Sequence, residues 1–381
     1  MKYKRLGELC DIVSGGTPSR SKTEYWNEGT IPWIKISNIK GKYVNEADEF
    51  ITQRGLDKSS AKLLAKGTVL YSIFATLGEV GILGIDACTN QAIAGIAIKD
   101  VSKLNTDYLY YYLKSKKYYV NNIGRGVAQN NINMSILRNF EVPLPELCKQ
   151  KEIVAILDMA LNIILARKQE IKKLDDLIKA RFVEMFGDPV SNSYALPEAT
   201  LPELGEFGRG VSKHRPRNDP KLLGGKYPLI QTGDVANARL YITSYSSTYS
   251  KLGLEQSKMW DKGTLCITIA ANIAKTAILG FDACFPDSVV GFNANEKTSN
   301  IFIHYWFSFF QAILEAQAPE SAQKNINLKI LSELKVIVPE KEKQDAFVKF
   351  INQVNKSKVA VQKALNETQI LFDSLMQEYF G

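Results

Sequence analysis

Histidine is scarce in this 381-residue chain, which has two, His214 and His304. A Ser-His-Asp arrangement therefore has little to draw on. The five cysteines, Cys10, Cys88, Cys148, Cys266 and Cys284, form no Cys-x-x-Cys pair, which argues against a zinc cluster. Cys88 and Cys284 each end an apolar run and read as small buried hydrophobes rather than redox groups. No G-x-x-x-x-G-K-[ST] loop is present to cradle phosphates. The spacing Gly78-x-x-Gly81-x-x-Gly84 lacks the G-x-G start of a dinucleotide loop and reads as turns. No apolar run is long enough to span a bilayer; the most apolar stretch, Ile301 to Phe310, is short and holds His304 and Ser308. The first residues, Met1-Lys2-Tyr3-Lys4-Arg5, carry charge with no apolar signal core behind them, so a cytoplasmic protein is expected.

What is present is a doubled pattern. Gly84-Ile85-Asp86-Ala87-Cys88 returns as Gly280-Phe281-Asp282-Ala283-Cys284, an offset of 196 (280 − 84). The same offset aligns Lys66-Gly67-Thr68 with Lys262-Gly263-Thr264, and Gly95 with Gly291. Farther on the offset is 194 (323 − 129): Gln129-Asn130-Asn131-Ile132-Asn133 matches Gln323-Lys324-Asn325-Ile326-Asn327, and Phe186-Gly187 matches Phe380-Gly381. A period this long means two whole domains rather than a solenoid. Each half is long enough to bury its own core. The charge is +8 overall. Residues 1–190 carry 27 basic against 21 acidic side chains, and residues 191–381 carry 21 against 19. This mild basic balance permits a polyanionic partner without requiring one.

Each half has a β-leaning part followed by a long helix. Ile31–Ile39, Thr68–Ile73, Tyr227–Val235 and Thr264–Ala270 are rich in β-branched and aromatic residues, as strands are. The β-leaning parts end in Phe140–Pro145 and Val336–Pro339. Beyond these, apolar residues recur at steps of three and four through Ile153, Leu157, Ala160, Ile164, Ile171, Leu174, Ile178, Phe182 and Met185. They recur again through Phe347, Ile351, Val354, Val361, Leu365, Leu371, Leu375 and Tyr379. Each stripe predicts an amphipathic helix of about 40 residues, or roughly 60 Å. Two such stripes should pair with each other, and an intervening domain lets them run antiparallel. Gly187-Asp188-Pro189 stops the first helix.

These features resemble the specificity (S) subunit of type I restriction-modification enzymes. The residues that carry the likeness begin with Leu6-x-Glu8-Leu9, Gly15-Gly16-Thr17-Pro18 and Pro32-Trp33-Ile34. They continue through Tyr71-Ser72-Ile73, Gly78-Glu79-Val80-Gly81 and Pro143-x-Pro145 to Gln150-Lys151-Glu152-Ile153. Leu201-Pro202-Glu203-Leu204, Pro228-Leu229-Ile230 and Lys343-Gln344 echo them in the second half. The resemblance implies an α+β chain with two repeated β-rich target-recognition domains separated by two long antiparallel helices in a coiled coil, with pseudo-twofold symmetry. The corresponding boundaries are 1–146 and 188–339 for the domains and 147–187 and 340–381 for the helices. It also implies a non-catalytic, DNA-reading chain. Each domain would read one half of a bipartite double-stranded site, and the helices would set the spacer and dock two modification subunits. Two restriction subunits would join them. S-adenosylmethionine, ATP and Mg would belong to those partners, leaving no cofactor in this chain. The absence of an Asn/Asp-Pro-Pro-aromatic tetrapeptide, the adenine methyltransferase signature, agrees. The rival readings are a stand-alone enzyme and a coiled-coil scaffold without base readout.

DNA contact calls for polar and basic side chains on loops that approach phosphates and base edges. The first opening loop offers Thr17, Ser19, Arg20 and Lys22. Its counterpart offers Ser212, Lys213, His214, Arg215 and Arg217. A solvated turn is the plain alternative for both. Lys35, Ser37 and Asn38 read as a strand end aligned with Gln231, Gly233 and Asp234, with Thr232 between, and alternation would turn half of them to one face. Thr76 aligns with Asn272, and Lys275 is nearby. Arg125 suits a guanine reader or a phosphate clamp. Gln129 and Asn130, with Gln323 and Lys324 in the second half, could read adenine. Domains with different targets should not share base readers, so the repeated motif favours a helix cap or phosphate contact. Phe182, Met185 and Phe186, with Met376, Tyr379 and Phe380, are candidates for partner docking. Ile163, Leu165, Leu177, Phe186, Val359, Phe372 and Phe380 exceed one helix-helix seam. A strip of this kind marks an interface if exposed, and packing on the chain's own domains is the alternative. His304, among Phe302, Tyr305, Trp306 and Phe307, reads as a packed helix histidine.

Overall fold

The computed structural model describes residues 2–124, 131–270, 272–317 and 326–381. The chain divides into two compact units. The first holds Met1–Lys168 and Lys363–Gly381, and the second holds Gln169–Gln362.

The main sheet of the first unit has five strands in the order Cys10–Ser14, Ile93–Ile98, Val69–Ser72, Val80–Leu83, Tyr43–Val44. In the second unit the order is Gly205–Arg209, Val289–Ala294, Leu265–Thr268, Thr276–Leu279, Tyr241–Ile242. Neighbours are antiparallel except the last pair of each sheet, which is parallel in both. The register repeats as well: Leu70 faces Gly95, and Cys266 faces Gly291. A Cβ on Gly95 would lie 2.5 Å from Leu64 Cδ1, and one on Gly291 would lie 2.6 Å from the Trp260 ring. Glycine recurs here because a neighbouring side chain occupies the space a Cβ would need. A smaller sheet joins Glu49–Ile51, Ile31–Ile34 and Cys88–Thr89 in the first unit. The second unit has Ser247–Tyr249, Leu223–Leu229, Ala283–Cys284 and a fourth strand, Met259–Trp260. That extra strand pairs Trp260 with Ala283, where the first unit has a lone bridge between Leu64 and Ala87.

The repeated loop residues are turn chemistry. Gly67 and Gly263 have φ of +88° and +95°, a conformation that favours glycine. Asp86 accepts the backbone N–H of Lys66 at 2.7 Å, and Asp282 that of Lys262 at 2.8 Å. Cys88 and Cys284 are buried, and burial raises both thiols above their ordinary range.

The long helices span Leu147–Phe186 and Lys341–Phe380. Each has a buried glutamine as its fourth residue. Gln150 donates to the Lys103 and Pro145 carbonyls at 2.8 and 2.9 Å and accepts from Asn105 N–H at 2.9 Å. Gln344 donates to the Lys297 and Pro339 carbonyls at 3.0 and 2.9 Å and accepts from Thr298 Oγ1 at 3.0 Å. A buried amide with three partners is well satisfied and ties the first turn of each helix to its own unit. Strand Tyr3–Arg5 pairs with Glu141–Pro143, and Glu198–Thr200 pairs with Lys335–Ile337. These ribbons tie the start of each β-rich part to the entry of its helix.

Within the second unit, Lys358 pairs with Asp175 and Phe347 packs on Phe186 at 5.5 Å between ring centroids. The central helix advances from 175 to 186 while its partner falls from 358 to 347, so the helices are antiparallel there. Phe182 and Phe186 also contact Phe302 at 5.4 and 5.3 Å. Within the first unit, Phe380 packs on Tyr108 at 5.1 Å and Phe372 on Tyr111 at 6.2 Å. Asp158 there accepts from Lys42 Nζ at 2.6 Å and Tyr111 Oη at 2.5 Å.

This corrects the expected apolar strip. Phe186 is 0% exposed and Phe380 4%, and Phe182, Phe372 and Met376 are also buried. They fill their own units' cores because rings from the β-rich domains cover them. Removing Leu375–Gly381 would therefore cut into the first unit's core. Ile163, Leu165, Leu177 and Val359 do remain exposed. Met185 and Tyr379 are partly covered.

Candidate nucleic-acid interface

Both opening loops hang from the same point. Gly15 N–H donates to the Ile93 carbonyl at 3.0 Å, and Gly210 N–H to its repeat equivalent, Val289, at 2.9 Å. Beyond that anchor the chemistry diverges.

In the first unit, Arg20 sits over Trp26, with Cζ 3.7 Å from the ring centroid, and 4.9 Å from that of Trp33. Trp33 is itself fixed by an indole N–H bond to the Gly16 carbonyl at 2.9 Å. Glu49 meets Arg20 at 2.5 Å, an ion pair rather than an aligned hydrogen bond, and accepts from Lys35 Nζ at 2.5 Å. The Arg20 guanidinium, then the Lys35 ammonium, holds the Glu49 carboxyl below its ordinary range. Lys22 Nζ donates to Tyr25 Oη at 3.1 Å, Ser19 and Ser21 share a hydrogen bond at 2.9 Å, and Thr17 Oγ1 donates to Gln91. The structure thus joins Arg20 and Lys35 through a residue not singled out in the sequence.

In the second unit, Arg215 donates to the Ser212 and His214 carbonyls at 2.5 and 2.9 Å. Its other nitrogen faces Asp287 at 3.4 Å, and Arg217 pairs with the same carboxylate. His214 Nε2 lies 3.1 Å from Asp219. The Asp219 carboxyl is held low, first by the Lys221 backbone N–H and then by His214. Gln256 Oε1 accepts the N–H groups of Lys213 and His214 at 2.7 and 3.0 Å. Lys213 has an exposed side chain with no ion pair among the described residues. Ser212 is buried with its hydroxyl unpaired, which removes it from the exposed set.

Two expectations change. Lys35, Ser37 and Asn38 do not end a strand: the strand stops at Ile34, and Ile36–Asn38 is a 3-10 turn. Gln231 likewise precedes the helix Thr232–Asn237. Asn38 Oδ1 accepts Lys35 N–H at 2.9 Å, and Asp234 accepts Gln231 N–H at 2.8 Å, so Asn38 is a cap like Asp234. Ser37 is exposed, and Gln231 Nε2 reaches Ser247 Oγ at 3.3 Å. Thr76 and Asn272 are exposed at equivalent hairpin tips. Each tip is organised by a buried hydroxyl: Ser72 Oγ donates to the Thr76 carbonyl at 2.5 Å, and Thr268 Oγ1 to that of Asn272. Lys275 stands where the first unit has Glu79, which pairs with Lys117 Nζ at 2.6 Å. Arg125, Gln129, Asn130, Gln323 and Lys324 lie outside the described residues. The end of the repeated motif is structural: Asn133 and Asn327 cap helices through Ile136 and Ile330 N–H, each at 2.8 Å.

Sequence reasoning missed Glu49, Gln91, Gln256 and Asp287. Gln91 and Asp287 occupy one repeat position (287 − 91 = 196), and each contacts its own opening loop. The alignment could have found them. Glu49 carried no local signal; it faces Trp33 across a strand pair. His304 donates to or accepts from Thr276 Oγ1 through Nδ1 at 2.9 Å, and burial lowers it to about 4, as a packed histidine requires. Among the described residues no His/Cys/Asp/Glu cluster could hold a metal ion, and no helix is long and apolar enough to cross a membrane.

The sequence profile of the type I restriction modification DNA specificity domain matches residues 1–175 and again 198–368. The Type I restriction enzyme MjaIX specificity subunit of Methanocaldococcus jannaschii is 29% identical over 190 residues, 49% of this chain and 43% of that protein. The Escherichia coli EcoR124I/EcoR124II specificity subunit is 27% identical over 164 residues, 42% of this chain and 40% of its own length. These matches thus span less than half of either relative. The putative MjaX specificity subunit of M. jannaschii is 24% identical across 93% of this chain and 86% of its own. Among solved structures, a chain of a type I R-M system studied for complex assembly and conformational transition covers 100% of this chain and 97% of its own. Its TM-score is 0.61 at 18% identity. The S subunit from M. genitalium covers 100% and 96%, with a TM-score of 0.54 at 15% identity. These structures share the fold. With its profile matched twice over most of its length, the chain belongs to the type I restriction modification DNA specificity family.

Proposed function

We propose that this chain is the DNA-reading subunit of a type I restriction-modification complex. Each β-rich domain reads one half of a bipartite double-stranded site. The long helices set the spacer and carry two modification subunits, with two restriction subunits joining that assembly. The chain performs no chemistry itself; methyl transfer from S-adenosylmethionine to adenine and ATP- and Mg-dependent cleavage belong to the partners. The observation that carries this reading is the pair of opening loops. They share an anchor, Gly15 on Ile93 and Gly210 on Val289, and differ in nearly every side chain beyond it. A repeated scaffold with divergent basic loops is what two readers of different half-sites need.

A groove of about 910 Å3 in the first unit suits partner docking. Its exposed lining includes Tyr118 and Leu165, beside Lys168, while the buried Phe372, Met376 and Phe380 form its floor. The spacer claim is tested by inserting four residues, about one helical turn, beside Lys168. Mapping methylated adenines in cells carrying the variant should show a changed spacer between unchanged half-sites. An unchanged spacer would count against the helices as the ruler.

A further inference from the structure

In each unit two cations meet one carboxylate; the opening loop supplies both in the second unit, while in the first Lys35, just after the strand Ile31–Ile34, joins Arg20 of the loop. Glu49 takes Arg20 and Lys35, each at 2.5 Å. Asp287 takes Arg215 at 3.4 Å and Arg217. The acids are not repeat equivalents: by strand register Glu49, opposite Trp33, corresponds to Ser247, opposite Leu229, and Asp287 corresponds to Gln91 at the offset of 196. The two units thus reach one electrostatic arrangement from different positions, which a repeat inherited in register would not supply by itself.

Arg20 also contacts the Trp26 and Trp33 rings, and Arg215 has two backbone carbonyls, so each arginine has partners besides the carboxylate. The partners are also well exposed: the side chains of Arg20, Arg215 and Arg217 are 54%, 54% and 46% accessible. Exposed ion pairs add little to stability. What a carboxylate does change is where the cation can go. A guanidinium has two usable edges and five donors, so one edge can stay on the acid while the other meets a guanine edge. Following a phosphate instead means leaving the acid or bringing phosphate against it, and like charges oppose that.

Resting on the DNA-reading assignment above, we propose that Glu49 and Asp287 are specificity residues that hold these cations for base edges and suppress their use on phosphates of unmatched DNA. Without the acids the cations join the sequence-independent contacts, which release counterions and steepen the salt dependence.

The test uses the full chain co-purified with its modification subunit, titrated by fluorescence anisotropy. The duplexes are one of random sequence and one carrying the site mapped from genomic methylation, each at several salt concentrations. Glu49→Gln and Asp287→Asn should each tighten random-duplex binding severalfold at low salt. The slope of log K against log salt should steepen by about 0.9 for each phosphate newly neutralised. The ratio of target to random affinity should fall. Glu342→Gln, an equal charge change on the exposed start of the distal helix, should leave all three quantities alone. Random-duplex affinity and salt slope unchanged in both loop variants, with the wild type still preferring its target, would overturn this proposal and spare the DNA-reading assignment. A wild-type complex that does not prefer the target would overturn both.

Discussion

Gly95 and Gly291 sit at one register position in the two main sheets, yet the side chain each makes room for is Leu64 in the first unit and Trp260 in the second. The same contrast runs through both units. The repeat keeps several residues whose partners are backbone groups: Gln150 and Gln344 on carbonyls, Asp86 and Asp282 on lysine N–H groups, Asn133 and Asn327 at helix starts. Where the partner is another side chain or solvent, the units part. Arg20 sits over Trp26 and beside Trp33, whereas Arg215 folds back on its own loop. Backbone geometry is common to both copies, so the groups that satisfy it are constrained alike. Loop side chains answer to whatever they meet outside, and two different half-sites would pull them apart.

The largest expected effect sharpens the likeness of the cores. Phe186→Ala in the second unit and Phe380→Ala in the first should each cost about 3–5 kcal/mol, as buried phenylalanines do. Urea unfolding followed by fluorescence and hydrogen exchange would assign each loss to its unit. A loss below about 1 kcal/mol, with weakened partner binding, would return these rings to an interface. Next, Gln150→Leu and Gln344→Leu leave buried groups unpaired and should cost about 1–3 kcal/mol. Equal losses are expected, and strongly unequal midpoints would break the equivalence of the two helix anchors. The Gly95→Ala and Gly291→Ala pair should split. Leu64 can turn its terminal methyls aside, while the Trp260 ring has no such freedom. Gly291→Ala should therefore cost more, about 1–3 kcal/mol by overpacking, and thermal melting would rank the two.

The smallest effect concerns pH. His304 is lowered to about 4 in the folded chain by burial, with Lys358 adding to it, from 6.5 unperturbed. The folded state therefore binds fewer protons between those values. Stability from this group is fully present above about 6.5 and is lost as pH falls toward 4, on the order of 1 kcal/mol per unit. His304→Gln keeps a partner for Thr276 and should flatten that part of the second unit's pH profile. The first unit has no histidine, since its aligned position is Tyr108, so its profile should not change. An unaltered second-unit profile in the variant would show that the histidine does not contribute.

The helices were legible because three- and four-residue steps persisted through them, and no strand pattern competes over that length. The stripe gave their width but not what covers it. Phe186 and Phe380 meet rings more than 100 positions away in Phe302 and Tyr108, and periodicity carries no record of such a partner. The turn at 36–38 and the helix at 232–237 were misread because Ile34, Ile36 and Ile230, Thr232 alternate briefly like a strand. The signal against a strand was Asn38 or Asp234 poised to accept an N–H three residues back. Glu49 and Asp287 escaped notice because ion pairs formed across 29 and 72 positions leave no local pattern.

The central claim is that two divergent loop sets on one repeated scaffold read two half-sites independently. The most direct test replaces residues 196–339 with the matching domain of another family member and maps methylated adenines across the genome by long-read sequencing. One half-site should change to that of the donor, while the other half-site and the spacer stay as they were. A change in both half-sites would contradict the account.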